Sequence, residues 1–78
     1  MKVYVTYATE NFDSSEPEDF QRSAHFSPQG AEKWLREHYG LPQEAVFVPY
    51  EEPERVWVYE APSGHPDLFG YQEFDVLP

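Results

Sequence analysis

One segment of the chain, SPQGAEKWLREHYGLP at 27–42, reads as a capped amphipathic helix. Ser27 has a side chain that accepts from first-turn N–H groups, and Pro28 suits the first helical position. Ala31, Trp34, Leu35 and His38 follow i, i+3, i+4, i+7 spacing, which predicts one buried stripe. Glu32–Arg36 and Lys33–Glu37 are spaced to pair across one turn on the outer face. Gly40 ends the helix and Pro42 keeps it ended. Gly30 is its weak spot, at about 0.5–1 kcal/mol relative to Ala. No second segment has this pattern, so a lone helix must bury its stripe on something other than helices.

The flanking sequence supplies strands. KVYVTY alternates Val3, Val5 and Tyr7 with Lys2, Tyr4 and Thr6, and the aliphatic set is expected on the core face. Residues 8–19 are rich in Asn, Ser, Pro and acids and are expected as a loop or irregular connection. FQRSAHF is a shorter strand, with Phe20, Arg22, Ala24 and Phe26 expected on one side, paired with the first. AVFVPY carries Pro49, which cannot donate to a ladder, so that strand is an edge or is bulged. It forms a hairpin with RVWVYE, where Val56 and Val58 face one way and Trp57 and Tyr59 the other. APSGHPDLFG is a long turn, and YQEFDVL closes the chain with Phe74 and Val76 expected inward. The expected fold is α+β: one helix packed on a mostly antiparallel four- to five-stranded sheet, in the order β-β-α-β-β-β. Trp34 and Leu35 are expected among the most buried residues, against Val3, Val5 and Phe74.

The 78 residues are expected to form one domain, 1–78, without internal repeats. A domain this small is marginally stable, and with no cysteine it has no disulfide to add. Six Phe, six Tyr and two Trp provide the bulk of a core, and that aromatic content separates the chain from disordered acidic sequences. MKVYVTYATE lacks the apolar region of a signal peptide, and no run approaches the ~20 residues of a membrane span. The expectation is a soluble, cytoplasmic protein.

Charge is the strongest functional signal. Fifteen acids against five bases give a formal net charge of −10. Phosphate binding needs clustered Lys and Arg, so direct nucleic-acid binding is not expected, nor is binding to an anionic membrane. A basic partner surface is favoured. The acids concentrate in two stretches, ENFDSSEPEDF at 10–20 and YEEPER at 50–55. The candidate partner-binding residues are therefore Glu10, Asp13, Glu16, Glu18, Asp19, Glu51, Glu52 and Glu54, with Tyr50 and Tyr59 as interleaved aromatic contact area. Same-face residues on a strand recur every ~6.6 Å. That interval is close to the spacing of phosphates along a nucleic-acid strand, so acids in these runs can imitate part of a phosphate track. The plainer reading is a solvated face that confers solubility.

The opening MKVYVTY, the middle FSPQGAEKWLREHYG and the closing YQEFDVLP resemble short uncharacterised proteins of bacteriophages and prophages. The resemblance covers about half the chain and implies a small α+β fold and a phage-like origin, placing the protein in the host cytoplasm. It transfers no catalytic residue. Small size, acidity and this origin are similar, at the level of class only, to anti-CRISPR and other anti-defence inhibitors.

Catalytic patterns are weak. His25, His38 and His65 match no metal-ligand spacing, so neither metal nor cofactor is expected. Ser63, His65 and Asp67 are triad residue types, yet all lie in one Pro/Gly loop, whereas triads are assembled from separate rigid elements. Glu51, Glu52 and Glu54 on a hairpin tip have no cleft to raise a carboxyl pKa. The expected function is that of a non-enzymatic acidic inhibitor, occupying the basic surface of a nucleic-acid-binding host complex. The alternative is a small accessory or regulatory interaction module, and either is expected to be a monomer or homodimer.

Overall fold

The computed structural model describes residues 1–10, 18–51, 54–61 and 67–77, with 18 and 19 in backbone only. Its elements are β1 (Lys2–Glu10), β2 (Glu18–His25), α1 (Pro28–Tyr39), β3 (Phe47–Pro49), β4 (Val56–Tyr59) and β5 (Leu68–Asp75). They form one five-stranded sheet in the order β2-β1-β5-β4-β3, antiparallel at every pairing. The element order is the one expected from sequence, and β3, with Pro49, is an edge as that proline requires. The chain passes from one edge, β2, through α1 to the opposite edge, β3. The strands reach further than expected: residues 8–10 and 18–19 are strand, and β5 starts at Leu68.

The caps form as the sequence predicts. The Ser27 hydroxyl accepts from the Gly30 N–H at 3.0 Å, on extended backbone (φ −143°). Gly40 takes the left-handed conformation, φ 64°, and its N–H returns to the Arg36 carbonyl. Ala31 and Leu35 are both 0% exposed. Trp34 is only half-buried, because its ring lies along the flank of the helix, stacked on His38 at 4.3 Å.

The helix covers the opposite sheet face from the one expected. Its cluster contains Ala8, Tyr59, Phe69 and Tyr71, with Tyr4, Phe47 and Trp57 packed around them. Tyr4, Thr6 and Ala8 therefore face α1, while Val3, Val5 and Tyr7 face away. The register carries the correction to β5: Val3 pairs with Phe74 and Val5 with Gln72, so Phe74 also lies on the far side, 38% exposed. Val76 is exposed as well. Small Thr6 and Ala8 beneath the helix let it approach, and aromatic rings fill the space around them. Trp57 stacks on Tyr71 at 5.3 Å, and Phe47 lies 5.8 Å from the same ring.

A second correction concerns β2. The pairing jumps from Thr6↔Ser23 to Tyr7↔Gln21, leaving Arg22 as the extra residue of a bulge. Phe20 and Arg22 thus sit on the helix side, with Arg22 Nε donating to the Tyr39 hydroxyl at 3.1 Å. Ala24 pairs with Val5 on the other side, and Phe26 is exposed.

Polar groups under the helix are tied to one another. Thr6, fully buried, accepts from the Ser23 N–H at 3.0 Å and shares a 2.6 Å contact with the Ser23 hydroxyl. The Tyr71 hydroxyl donates to Glu32 at 2.6 Å, and Glu32 pairs with Arg36. Burial, then the neighbouring Glu32 carboxylate, holds the Tyr71 phenol well above its ordinary 10.0. In the unfolded chain that phenol ionises first, so stability is unaffected below pH ~10 and falls as pH rises above it. Tyr71→Phe is expected to cost about 1–2 kcal/mol at pH 7, by removing the donor to Glu32. Its loss of stability on going from pH 9 to 11 should also be smaller than that of the wild type. Equal alkaline limbs in denaturant melts would count against this assignment.

Candidate functional site

The two acidic stretches do not converge. Glu10 ends β1, exposed, with its backbone opposite Glu18; Thr9 is opposite Asp19. Glu51 and Glu54 lie in the β3–β4 connection, also exposed. The Arg55 carbonyl accepts from the Glu73 N–H, and Glu73 pairs with Tyr4, which fixes this connection at the start of β1. Glu10 is six residues further along β1, or roughly 20 Å at the rise of a strand. The acids therefore flank the sheet at opposite ends and do not run along it as one track. The side chains of Glu18 and Asp19 lie outside the described structure, as do residues Asp13, Glu16 and Glu52.

The two aromatic candidates separate. Tyr50 is 41% exposed beside Glu51. Tyr59 is 9% exposed, paired with Phe47 beneath the helix, and belongs to the core. Its ring is unavailable to a partner because β4 alternates, and Trp57 and Tyr59 are on its covered face.

The bases are mostly consumed internally. Arg55 Nε meets Glu73 at 2.6 Å and its Nη1 meets Asp75 at 2.9 Å, while Lys2 approaches Glu73 at 3.6 Å. Arg36 donates to the Ala45 carbonyl at 2.8 Å and pairs with Glu32. Arg22 is held by Tyr39 and lies over the Phe20 ring at 4.8 Å. By contrast, Glu10, Glu37, Glu44, Glu51, Glu54 and Glu60 are exposed and have no ion-pair partner among the described residues. Lys33 is the one exposed base whose side chain has neither an ion-pair nor a hydrogen-bond partner among the described residues, against those six glutamates.

Arg55 is also the one described non-glycine residue with positive φ, 68°. Its ion pairs hold a conformation that side chains rarely adopt. The Arg55 guanidinium, hydrogen-bonded to both carboxylates, keeps Glu73 and Asp75 below their ordinary 4.5 and 3.8. Depressed values mean that their contribution to stability is present above pH ~4.5 and is lost as pH falls through and below that range. Arg55→Gly relieves the backbone and removes the guanidinium. Its stability should therefore fall less between pH 5 and 2 than that of the wild type, measured by urea melts at each pH.

No described helix or strand packs on the face turned away from α1, where Val56 and Val58 are nonetheless buried while Val5, Tyr7 and Phe74 are partly exposed. Val5, Tyr7, Gln21, Tyr50, Val56, Gln72 and Phe74 line a trough of about 280 Å³ across it. Among the described residues no Asp, Glu, His, Lys or Arg lines it. Sequence reading missed this site, because alternation marks two faces without saying which the helix takes.

A second missed grouping lies at the helix start. Ser23 Oγ is 2.8 Å from His25 Nε2, the spacing of a nucleophile and its base. However, Ser23 Oγ also contacts the buried Thr6 hydroxyl, and among the described residues no carboxylate orients the His25 imidazole. The group serves to satisfy Thr6 beneath α1. His65 lies outside the described residues, as does Ser63. Among the described residues no three metal-ligating side chains converge, and no helix is long and apolar enough to cross a membrane.

No family model, curated protein or solved structure matches the chain.

Proposed function

We propose that the protein is a non-catalytic binding module that docks on the basic surface of another protein and thereby excludes nucleic acid from it. One observation carries this reading: four of the five bases are engaged by Glu32, Glu73, Asp75 or Tyr39, while six glutamates are exposed with no ion-pair partner among the described residues. Such a surface attracts a basic partner and speeds its encounter. The trough supports a binding role over a catalytic one, since among the described residues no carboxylate, imidazole or amine lines it to move a proton. In its sharpest form the partner is a nucleic-acid-binding host defence complex, the protein is phage-encoded, and it works in the host cytoplasm. The roughly 20 Å between the acidic ends makes this two-point contact with separate basic patches, in place of a continuous phosphate track.

The test is competition. Proteins captured from a host lysate at low salt are eluted with a salt gradient, purified, and assayed for release of bound DNA or RNA on adding the protein. A basic, nucleic-acid-binding partner that gives up its nucleic acid supports the reading. Separate Glu→Gln changes at Glu10 and at Glu51/Glu52/Glu54 should each slow association and flatten its salt dependence. Wild-type affinity in both variants at low salt would reduce the acids to a solubility device.

A further inference from the structure

We infer that the recess at the start of β3 takes one lysine side chain of the basic partner, its stem on the apolar wall and its ammonium on the oxygens of Glu44, Tyr59 and Glu60. This rests on the binding reading above and adds a place and a chemistry to it. The recess measures about 270 Å³ and is lined by Pro42, Glu44, Ala45, Val46, Tyr59 and Glu60. Backbone hydrogen bonds bring these residues together. The Ala45 N–H donates to the Pro42 carbonyl at 3.0 Å, which closes the turn that carries Glu44. The Glu60 N–H donates to the Val46 carbonyl at 2.8 Å, which sets the second glutamate across from exposed Val46.

Acidity alone does not make a ligand site of it; Tyr59 supplies the independent sign. Tyr59 is only 9% exposed, yet its hydroxyl has no hydrogen-bond partner among the described residues. Among those residues Arg36 Nε is the one fully buried side-chain polar atom left unpaired, so the Tyr59 hydroxyl reaches solvent, and the recess is an opening that Tyr59 lines. A hydroxyl there, beside two carboxylates without ion-pair partners, can accept from a donor that carries positive charge. No Lys, Arg or His lines the recess among the described residues. A lysine ammonium brings three donors and no acceptor, on a stem that lies along apolar surface. Pro42, Ala45 and Val46 give that surface, with Val46 55% exposed. Arginine fits less well. Its guanidinium gains by stacking on a ring face, and the Tyr59 ring is already packed beside Phe47, with 6.0 Å between centroids.

The probe is Nα-acetyl-lysine methylamide, titrated at low salt into isotopically labelled protein and followed by amide chemical shifts, with the norleucine and arginine analogues as controls. Saturable shifts centred on Ala45, Val46 and Glu60 are expected in the millimolar range for the lysine compound, and none for norleucine. Glu44→Gln and Glu60→Gln should each weaken the lysine compound about two- to fivefold, as loss of an exposed ion pair does. Tyr59→Phe should weaken it by about as much with an unchanged melting temperature, because the hydroxyl it removes has no partner in the fold. A purely structural hydroxyl would give the reverse: a lower melting temperature with lysine bound normally, which overturns the inference. Undiminished binding in all three variants overturns it, as does tighter binding of the arginine analogue. Shifts spread equally over Glu10, Glu37, Glu51 and Glu54 overturn the recess while leaving the acidic-surface reading in place. That reading fails separately, if the captured partner keeps its nucleic acid in the competition assay.

Discussion

Leu35→Ala lowers the melting temperature by roughly 10–30 °C. Leu35 is fully buried at the centre of the helix stripe, in one cluster with Ala8, Ala31, Phe69 and Tyr71. Truncating a buried leucine costs about 2–5 kcal/mol, part for lost transfer and part for the cavity left behind. Each kcal/mol moves the midpoint of a domain this size by about 4–8 °C. At about 0.05–0.15 kcal/mol per residue the whole domain holds only ~4–12 kcal/mol, so the variant is partly unfolded near 37 °C. Two further variants turn this into a test of which sheet face is the core. Trp34→Ala should cost less than Leu35→Ala, since the indole is half-exposed and rests on His38. Val5→Thr, on the uncovered face, should cost less again. If Val5→Thr proves as damaging as Leu35→Ala, the helix packs on the valine face and the assignment of faces is wrong.

That assignment marks the boundary of what the sequence discloses. Ser27, Pro28, Gly40 and Pro42 announce the helix through backbone chemistry confined to a few residues, and it forms as announced. Pro49 identifies an edge strand for the same kind of reason. The choice of covered face is not local. In β1 both alternating sets can face a core: Val3, Val5 and Tyr7 by apolar character, Tyr4, Thr6 and Ala8 by leaving room for a helix. The second set is covered because the ring-rich face of β4 and β5, with Trp57, Tyr59, Phe69 and Tyr71, is continuous with it through the register. Register is a property of strand pairs and is invisible in any single strand. The bulge at Arg22 is hidden likewise, since it appears only when Thr6 and Tyr7 are counted against Ser23 and Gln21. The acidic stretches are plain in the sequence, and their separation to opposite ends of the sheet follows only from topology. The same holds for the inward turn of Arg55, eighteen residues from Glu73 and twenty from Asp75.

Gly70→Ala is expected to destabilise the protein by about 3 kcal/mol or more, at the upper end of what overpacking costs, and to disturb the trough as it does so. Gly70 sits in mid-β5, paired with Tyr7 on one side and Val58 on the other. A Cβ there would stand 2.5 Å from the Trp57 carbonyl oxygen and 2.8 Å from the Tyr7 hydroxyl. The tyrosine hydroxyl is the far end of a side chain and can shift by less costly means than a backbone atom. The carbonyl belongs to the backbone of β4 and moves only if the β4–β5 pairing opens. Strand glycines ordinarily weaken a sheet, so an alanine free of clashes would be neutral or favourable. A loss therefore reports the close approach itself. The double variant Tyr7→Ala/Gly70→Ala separates the two contacts: removing the ring should recover only a minor share of the loss, with the carbonyl clash retaining the rest. Full recovery would assign the strain to Tyr7 alone, and an unchanged melting temperature in Gly70→Ala would mean that β4 and β5 are further apart than described.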